Sequence, residues 1–171
     1  GLFNTPWGIT VDKWDKVYVA DWKNHRIQKF SPDGSFLNQF GRPAEGAGDL
    51  NLLSSAPSEL TFSRLRRLGF GTGELNHPSG VGVDDDGDVY VVDWANDRIQ
   101  VYAPDGDFVT SLIGHATHLS KAAQQQVDAS PDVHKARRRA TSLEAESRFH
   151  FPTAIAFDNE SGRFVVTDSA R

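Results

Sequence analysis

The sequence predicts an all-β fold, a β-propeller in which four-stranded antiparallel sheets, the blades, stack side by side around an axis. The first observation behind this prediction is a block of motifs that occurs twice at a constant offset of 72 residues and begins a third time at residue 152. The second is that each copy contains four short segments of strand composition. A lone four-stranded sheet cannot cover its own apolar faces, so we expect the copies to pack against one another.

The repeat rests on motifs that keep their order and spacing. Residues 6–12 (PWGITVD) recur at 78–84 (PSGVGVD) and again at 152–158 (PTAIAFD). Most of the first copy as far as Gly34 recurs in the same register as far as Gly106. Because the offset between the two copies does not drift, each copy is predicted to be one structural unit of a stacked array.

Four strands are predicted in the first copy, at residues 8–11, 17–20, 26–30 and 36–40. The second strand carries β-branched and aromatic residues on both faces, so we expect it to be buried on both sides. Between the third and fourth strands, a Pro-Asp-Gly sequence ending at Gly34 has turn chemistry, because proline presets φ and glycine permits a positive φ.

These motifs resemble the NHL repeat, which is named after an Asn-His-Leu pattern. The resemblance rests on Pro-x-Gly-Ile-x-Val-Asp, Val-Tyr-Val-Ala-Asp, Asn-His-Arg-Ile-Gln and Pro-Asp-Gly as they stand in the first copy. It implies a propeller of about six blades, of which this chain would hold about two and a half. On this interpretation the chain is part of a longer protein.

The domain, residues 1–171, is expected to divide into blades and insertions, because a plain repeat of this kind needs only about 40–45 residues. The segments are blade 1 at 6–41, an insertion at 42–77, blade 2 at 78–114, an insertion at 115–151 and the start of blade 3 at 152–171. Both insertions are predicted to form short α-helices, with Ser58 as an N-cap in the first and Ser130 followed by Pro131 as a helix start in the second. Insertions of this length also resemble those of some bacterial NHL-repeat proteins.

One face of the propeller is predicted to carry function. The chain runs up and down through a blade, so the loop between the second and third strands lies on the same face as the connection between blades. We call this the insertion-bearing face, because both insertions belong to it. The predicted binding residues on it are Trp22, Asn24, His25, Arg26, Trp94, Asn96 and Arg98. The two tryptophans could anchor a partner or pack against the insertions, and the sequence leaves both open.

An acid and an arginine flank each of these loops, Asp21 with Arg26 and Asp93 with Arg98. We expect each pair to form an ion pair that closes the turn. A functional alternative is a ring of acids and arginines around a central channel.

No catalytic residue, metal site or cofactor is predicted. The acidic tract at 84–88 lacks the ligand spacing of an EF-hand and is expected to be a solvated turn. His115 and His118 have a helical spacing that could hold a metal ion, but no clear third ligand accompanies them. No apolar run approaches the roughly 20 residues of a membrane span, and the residues indicate no cellular compartment.

These observations favour a non-catalytic scaffold that binds a protein or a small ligand through the insertion-bearing face. The resemblance implies two alternatives, a metal-dependent lactonase or lyase of the six-bladed class and an RNA-binding domain. Against the first, the matched inner-strand positions Thr10, Gly82 and Ala156 offer no carboxylate or imidazole. Against the second, a net charge of −5 disfavours nucleic acid. An open arc of blades exposes apolar faces at both ends, so we also expect self-association.

Overall fold

The computed structural model describes residues 2–43, 71–114, 128–130 and 148–169. The strands in these ranges are β1 (Pro6–Val11), β2 (Val17–Asp21), β3 (Arg26–Phe30), β4 (Phe36–Phe40), β5 (Arg42–Pro43), β6 (Glu74–Leu75), β7 (Pro78–Val83), β8 (Val89–Asp93), β9 (Arg98–Tyr102), β10 (Phe108–Leu112), β11 (Pro152–Asp158) and β12 (Arg163–Asp168). Single 3₁₀ turns, Trp22–Asn24 and Trp94–Asn96, follow β2 and β8.

Two four-stranded antiparallel sheets make up most of the structure. Their strand orders are β1-β2-β3-β4 and β7-β8-β9-β10, so each strand pairs with its neighbour in sequence. Strands β11 and β12 pair in the same way and are the first two strands of a third unit. The predicted architecture of four-stranded propeller blades is therefore confirmed.

The first strand is longer than expected, because it begins at Pro6 rather than at residue 8. Pro6 pairs with Asp21, and a bulge between Pro6 and Ile9 absorbs the irregular register. The predicted insertion helices, His115 and His118 lie outside the described residues, except that Asp128 and Ala129 are helical. Where the first insertion leaves and rejoins the blades, β5 and β6 form a short parallel pair.

The innermost strands of neighbouring units approach each other closely. A Cβ atom on Gly8 would lie 2.6 Å from the carbonyl oxygen of Ser79 and 2.9 Å from the Cα of Gly80. On Gly80, a Cβ would lie 3.1 Å from the Cα of Ala154 in the third unit. The small residues at this repeated position therefore set how tightly the units pack around the axis.

The core lies between the blades, as expected for sheets that stack face to face. Tyr18 and Ala20 of β2 are at most 1% exposed, and Val81 and Val83 of β7 join them in one hydrophobic cluster. Between the second and third units, the rings of Tyr90 and Phe164 stack with centroids 3.9 Å apart. The second strand of each complete blade is largely buried, in agreement with its composition.

On the side of the blades that carries the β3–β4 and β9–β10 turns, polar contacts also join the first two blades. The Lys29 ammonium donates to the carbonyl oxygen of Pro104 at 2.7 Å, and the Asn38 amide donates to that of Asp105 at 2.8 Å. Each of these donors belongs to blade 1 and each acceptor to the β9–β10 turn of blade 2, so this turn is held against its neighbour. In the part of the chain that is described, no helix has the length and apolar character to cross a membrane.

Candidate functional site

A fully buried carboxylate organises the insertion-bearing end of blade 2. One oxygen of Asp93 accepts the backbone N–H of Asn76 at 2.6 Å. The other accepts hydrogen bonds from three side chains, namely Asn96 at 2.8 Å, Arg98 at 2.7 Å and Gln100 at 3.1 Å. This set of donors offsets much of the cost of removing a charge from water.

The same arrangement occurs in blade 1 around Asp21. Its oxygens accept the backbone N–H of Asn4 at 2.7 Å and the side chains of Asn24 at 2.8 Å, Arg26 at 2.9 Å and Gln28 at 3.0 Å. The two clusters differ in shielding, because the Arg26 side chain is 19% exposed and that of Arg98 is 8% exposed.

The difference in shielding is reflected in the acidity of the two carboxyl groups. Burial raises the pKa of Asp93, and the nearby Arg98 guanidinium and the hydrogen-bond donors only partly oppose this. Burial acts in the same direction on Asp21, but its donors prevail and lower the pKa of that carboxyl below its ordinary value. The ion pairs are thus elements of a buried network and not surface contacts.

The network explains the spacing of the repeated motif. The Asp, Asn, Arg and Gln side chains stand at relative positions 0, 3, 5 and 7 of each copy, and all four converge on one carboxylate. Sequence reasoning paired the aspartate with the arginine but missed the glutamines Gln28 and Gln100. Their signal was their recurrence at the same offset as the arginines.

A second contact joins each blade to the next. His25 and Asp97 occupy the same position of the repeat, and both have a left-handed backbone with φ of 52°. The Nδ1 atom of His25 accepts the backbone N–H of His77 at 3.1 Å, and the Asp97 carboxylate accepts that of Phe151 at 2.8 Å. The acceptor role requires that Nδ1 of His25 carries no proton.

In five of the seven predicted binding residues, the side chain contacts other residues of the protein. His25 and Asn96 are each 5% exposed and Arg98 is 6% exposed, while Asn24 and Arg26 donate to Asp21 as described above. For these five side chains the structure shows hydrogen bonds within and between blades. Trp22 and Trp94 are the predicted binding residues that remain partly exposed without such bonds.

The two tryptophans belong to a connected set of rings, which we call the aromatic row. It consists of Trp7, Trp22, His77, Trp94 and Phe151. The ring centroids lie 5.5 Å apart for Trp7 and Trp22, 4.3 Å for Trp22 and His77, 6.4 Å for Trp22 and Trp94, and 5.2 Å for Trp94 and Phe151. The row crosses all three units on the insertion-bearing face.

Local structure positions each ring of the row. Trp22 and Trp94 are the first residues of the two 3₁₀ turns, so their side chains leave the blades at the same end. His77 and Phe151 precede β7 and β11 with φ of 55° and 54°. Sequence reasoning missed Trp7, His77 and Phe151, although the recurrence of residue 77 at 151 as an aromatic position was visible.

The histidine in the row is far less basic than a free imidazole. Burial, reinforced by the positive charges that His25 and Lys23 can carry, lowers the pKa of His77 to about 4. Burial likewise lowers the pKa of His25. Both rings are therefore neutral at pH 7. For His25 this leaves Nδ1 unprotonated, as the hydrogen bond from the backbone N–H of His77 requires.

Acid is expected to destabilise the fold through His77. Its pKa is about 4 in the folded chain and about 6.5 in an unfolded chain. Between these values the unfolded state binds more protons, so the free energy of unfolding falls as the pH falls through this window. We expect wild type to lose roughly 1–3 kcal/mol more than His77→Phe between pH 7 and pH 4, measured by urea unfolding.

Phenylalanine is a suitable replacement because Phe151 adopts the same backbone conformation at the matched position. The variant retains a ring beside Trp22, and His25 titrates in both proteins, so the difference reports on His77. Parallel pH profiles for the two proteins would contradict a buried neutral His77.

The acidic tract at 84–88 forms a tight turn. Asp84 accepts the backbone N–H groups of Asp86 at 3.0 Å and Asp88 at 2.9 Å through one carboxylate oxygen. Burial and the neighbouring Asp84 and Asp86 carboxylates raise the pKa of Asp88. In the ranges that the structure describes, no group of three or more His, Cys, Asp or Glu side chains is placed to hold a metal ion.

Comparison with known protein families agrees with the repeat. The sequence model of the NHL repeat matches residues 3–30 and 75–102, which contain the two carboxylate clusters and the 3₁₀ turns. The chain contains two NHL repeats, each folded as a propeller blade. In this NHL chain, each matched segment begins one residue before the backbone N–H that donates to the buried aspartate. Each segment ends at the last residue of the third strand of its blade.

Several curated proteins are similar to this NHL chain. Protein brain tumor of Drosophila melanogaster is 30% identical over 139 residues, which is 70% of this chain and 13% of that protein. Peptidyl-alpha-hydroxyglycine alpha-amidating lyase 1 of the same species is 32% identical over 109 residues, 63% of this chain and 16% of the lyase. The chain thus spans less than a fifth of either relative.

Among solved structures, virginiamycin B lyase from Staphylococcus aureus aligns with 99% of this chain and 44% of its own, at 14% identity and a TM-score of 0.44.

Proposed function

We propose that this NHL chain is a non-catalytic scaffold that binds an extended polypeptide segment with apolar side chains along the aromatic row. The observation that carries the proposal is the continuous contact of Trp7, Trp22, His77, Trp94 and Phe151 across three units of one face. Large rings provide much of the binding energy of protein interfaces.

The exposure of Trp7 supports this proposal. The Trp7 side chain is 62% exposed, whereas Ser79, at the matched position of the second copy, is 3% exposed. A serine at this position is therefore compatible with the blade, and the fold alone does not require a tryptophan there. An exposed indole in contact with Trp22 offers an apolar surface to a partner.

The shape of the row favours a segment of chain over a compact ligand. Its rings belong to three consecutive units, so a ligand that contacts all of them must reach across two unit boundaries. The His77 ring, which branches from Trp22, is neutral at pH 7. An uncharged row suits apolar side chains and weakens the case for a phosphate-bearing partner.

The test is a substitution of Trp7 by serine, the residue of the matched position. Peptides that bind the chain are first selected from a phage-displayed library of random peptides, and their affinities are then measured by calorimetry. We expect Trp7→Ser to weaken binding of the selected peptides by about tenfold or more, because a central aromatic anchor contributes at least about 1.4 kcal/mol.

Trp14 provides the matched control. It is 47% exposed and lies in the turn between β1 and β2, at the opposite end of the blade from Trp22. We expect Trp14→Ser to leave the affinity of the same peptides within twofold of wild type. Equal losses from Trp7→Ser and Trp14→Ser, or no loss from either, would remove the row as the binding site.

The lyase among the relatives makes an enzyme the alternative, since it matches 63% of the chain. The described inner strands carry Thr10, Gly82 and Ala156 at the matched position, none of which is a strong ligand for a divalent metal. We therefore assign no reaction to these residues. The alternative would be favoured by stoichiometric calcium or zinc in the purified protein.

A further inference from the structure

The turn that carries Trp22 also carries a lysine that the blade does not require. Lys23 is the second residue of the first 3₁₀ turn, and Ala95 occupies the same position of the second. The backbone N–H of Lys23 donates to the carbonyl oxygen of Asn4 at 3.1 Å, and that of Ala95 donates to the matched oxygen of Asn76 at 3.2 Å. The two turns therefore hold this position in the same way, with or without a charged side chain.

The charge of Lys23 acts on the aromatic row. Lys23 directly follows Trp22, whose ring centroid lies 4.3 Å from that of His77. The positive charge of Lys23 is one of the causes that lower the pKa of His77, so its field reaches that ring. A cation therefore borders the otherwise uncharged row in blade 1.

This cation is exposed and has no carboxylate partner among the described residues. Across those ranges, no carboxylate oxygen lies within 4.0 Å of the Lys23 ammonium. The two arginines of the same blade are engaged, because Arg26 pairs with Asp21 at 2.9 Å and Arg42 pairs with Glu74 at 3.3 Å. An incoming anion would thus meet the lysine without displacing a carboxylate of the described chain.

The chemistry of the row and of this cation together indicates what a ligand brings to the site. An ammonium group is a compact point charge, which suits a single carboxylate, whereas phosphate groups favour the bidentate donors of arginine. The rings beside Lys23 suit apolar side chains. The combination fits an aspartate or glutamate side chain that adjoins apolar residues of one segment.

We propose that Lys23 determines the specificity of the aromatic row, by pairing with the side-chain carboxylate of an aspartate or glutamate next to the apolar residues that contact Trp22. The inference rests on the proposed function, because it places the ligand on the row. The rings supply most of the affinity, and the ammonium decides which apolar segments bind. Because Ala95 carries no charge, the acidic residue has one preferred place along the row, which fixes the direction of the ligand.

The experiment uses peptides selected from the phage-displayed library against the wild-type chain. We expect aspartate or glutamate to recur at one position beside aromatic or aliphatic residues. The peptides are synthesised with an amidated C-terminus, so that only side-chain carboxylates are tested, and their affinities are measured by calorimetry. Lys23→Ala, which introduces the residue of the matched position, is expected to weaken binding about fivefold. Lys23→Glu is expected to weaken it by at least about twentyfold, because repulsion replaces attraction.

Changes in the peptide test whether the lysine and the acid act on each other. Replacing the recurrent acid by the matching amide is expected to weaken binding to wild type about fivefold. The same replacement is expected to change binding to Lys23→Ala by less than about twofold, because the interaction is already absent there. A new selection against Lys23→Glu is expected to yield lysine or arginine in place of the acid.

Lys13→Glu is the matched control for charge. Lys13 is exposed in the turn between β1 and β2, at the opposite end of blade 1 from Lys23. We expect Lys13→Glu to keep the affinity within about twofold of wild type, and circular dichroism verifies that each variant is folded. The inference is overturned by equal losses from Lys13→Glu and Lys23→Glu, by selected peptides without a recurrent acid, or by an amide peptide that loses as much affinity for Lys23→Ala as for wild type.

The two proposals fail in distinguishable ways. If Trp7→Ser weakens binding and Lys23→Glu does not, the row binds peptides but Lys23 does not select them, and only the present inference is overturned. If neither substitution weakens binding of the selected peptides, the row is not the binding site and both proposals are overturned.

Discussion

Replacing Asp93 by asparagine is expected to lower the free energy of unfolding by about 3–5 kcal/mol, because it removes the negative charge opposite a buried guanidinium. The Arg98 Nε lies 2.7 Å from the carboxylate, and its side chain is 8% exposed. In either orientation the NH2 group of the variant's amide also faces donors, either the backbone N–H of Asn76 or the side chains of Asn96, Arg98 and Gln100. The measurement is urea unfolding at constant pH, and a domain with about 5–15 kcal/mol of total stability should respond clearly.

The first copy provides a graded comparison for this prediction. Asp21→Asn is expected to cost less than Asp93→Asn, because Arg26 is 19% exposed and water can solvate its charge after the substitution. Asp85→Asn, at an exposed position of a turn, is the charge-matched control and is expected to change stability by less than about 0.5 kcal/mol. Similar losses at positions 93 and 85 would contradict the buried network.

Replacing Gly8 by alanine is expected to cost about 1–3 kcal/mol through overpacking between the inner strands. The new methyl group would lie 2.6 Å from the Ser79 oxygen and 2.9 Å from the Gly80 Cα, both of which are backbone atoms and cannot rotate away. The first and second units must therefore separate slightly, which loosens the cluster that contains Tyr18 and Val81. The urea midpoint should fall, with little change in the denaturant slope.

The third unit supplies the control for the glycine prediction. Ala154 occupies the same repeat position but is exposed. Ala154→Val, measured at low protein concentration, is expected to be nearly neutral, because the larger side chain projects into solvent. A loss as large as that of Gly8→Ala would show that the cost arises within the strand and not between units.

Prediction of the strands was most successful where the repeat combines with an alternation of side chains every two residues. The offset of 72 placed the strands of both blades, and β3 and β4 have the predicted bounds. It was less successful at Pro6, where pairing with Asp21 across a bulge extends β1 beyond the regular alternation. Irregular pairing of this kind depends on the partner strand and is weakly encoded in the strand itself.

For the candidate site, the sequence identified Trp22 and Trp94 but also grouped them with residues of a different role. Proximity along the chain placed His25 and Arg98 beside the tryptophans, although their side chains point to the next unit and to Asp93. The direction in which each of these side chains points does not follow from their spacing along the chain. A 3₁₀ turn with a left-handed residue at its end reverses the chain within a few positions.

The sequence by itself determined the repeating unit, its four strands and the need for units to cover one another, since these follow from spacing and from the alternation of apolar side chains. Only the tertiary structure decided which polar residues surround Asp21 and Asp93, how closely Gly8 approaches Ser79, and which rings form the aromatic row. The physical reason is that strand patterns arise from neighbours along the chain, whereas these contacts depend on how strands and turns meet in space. The side chains around Asp21 and Asp93 converge when the second and third strands pair, and Gly8 meets Ser79 only when the blades stack.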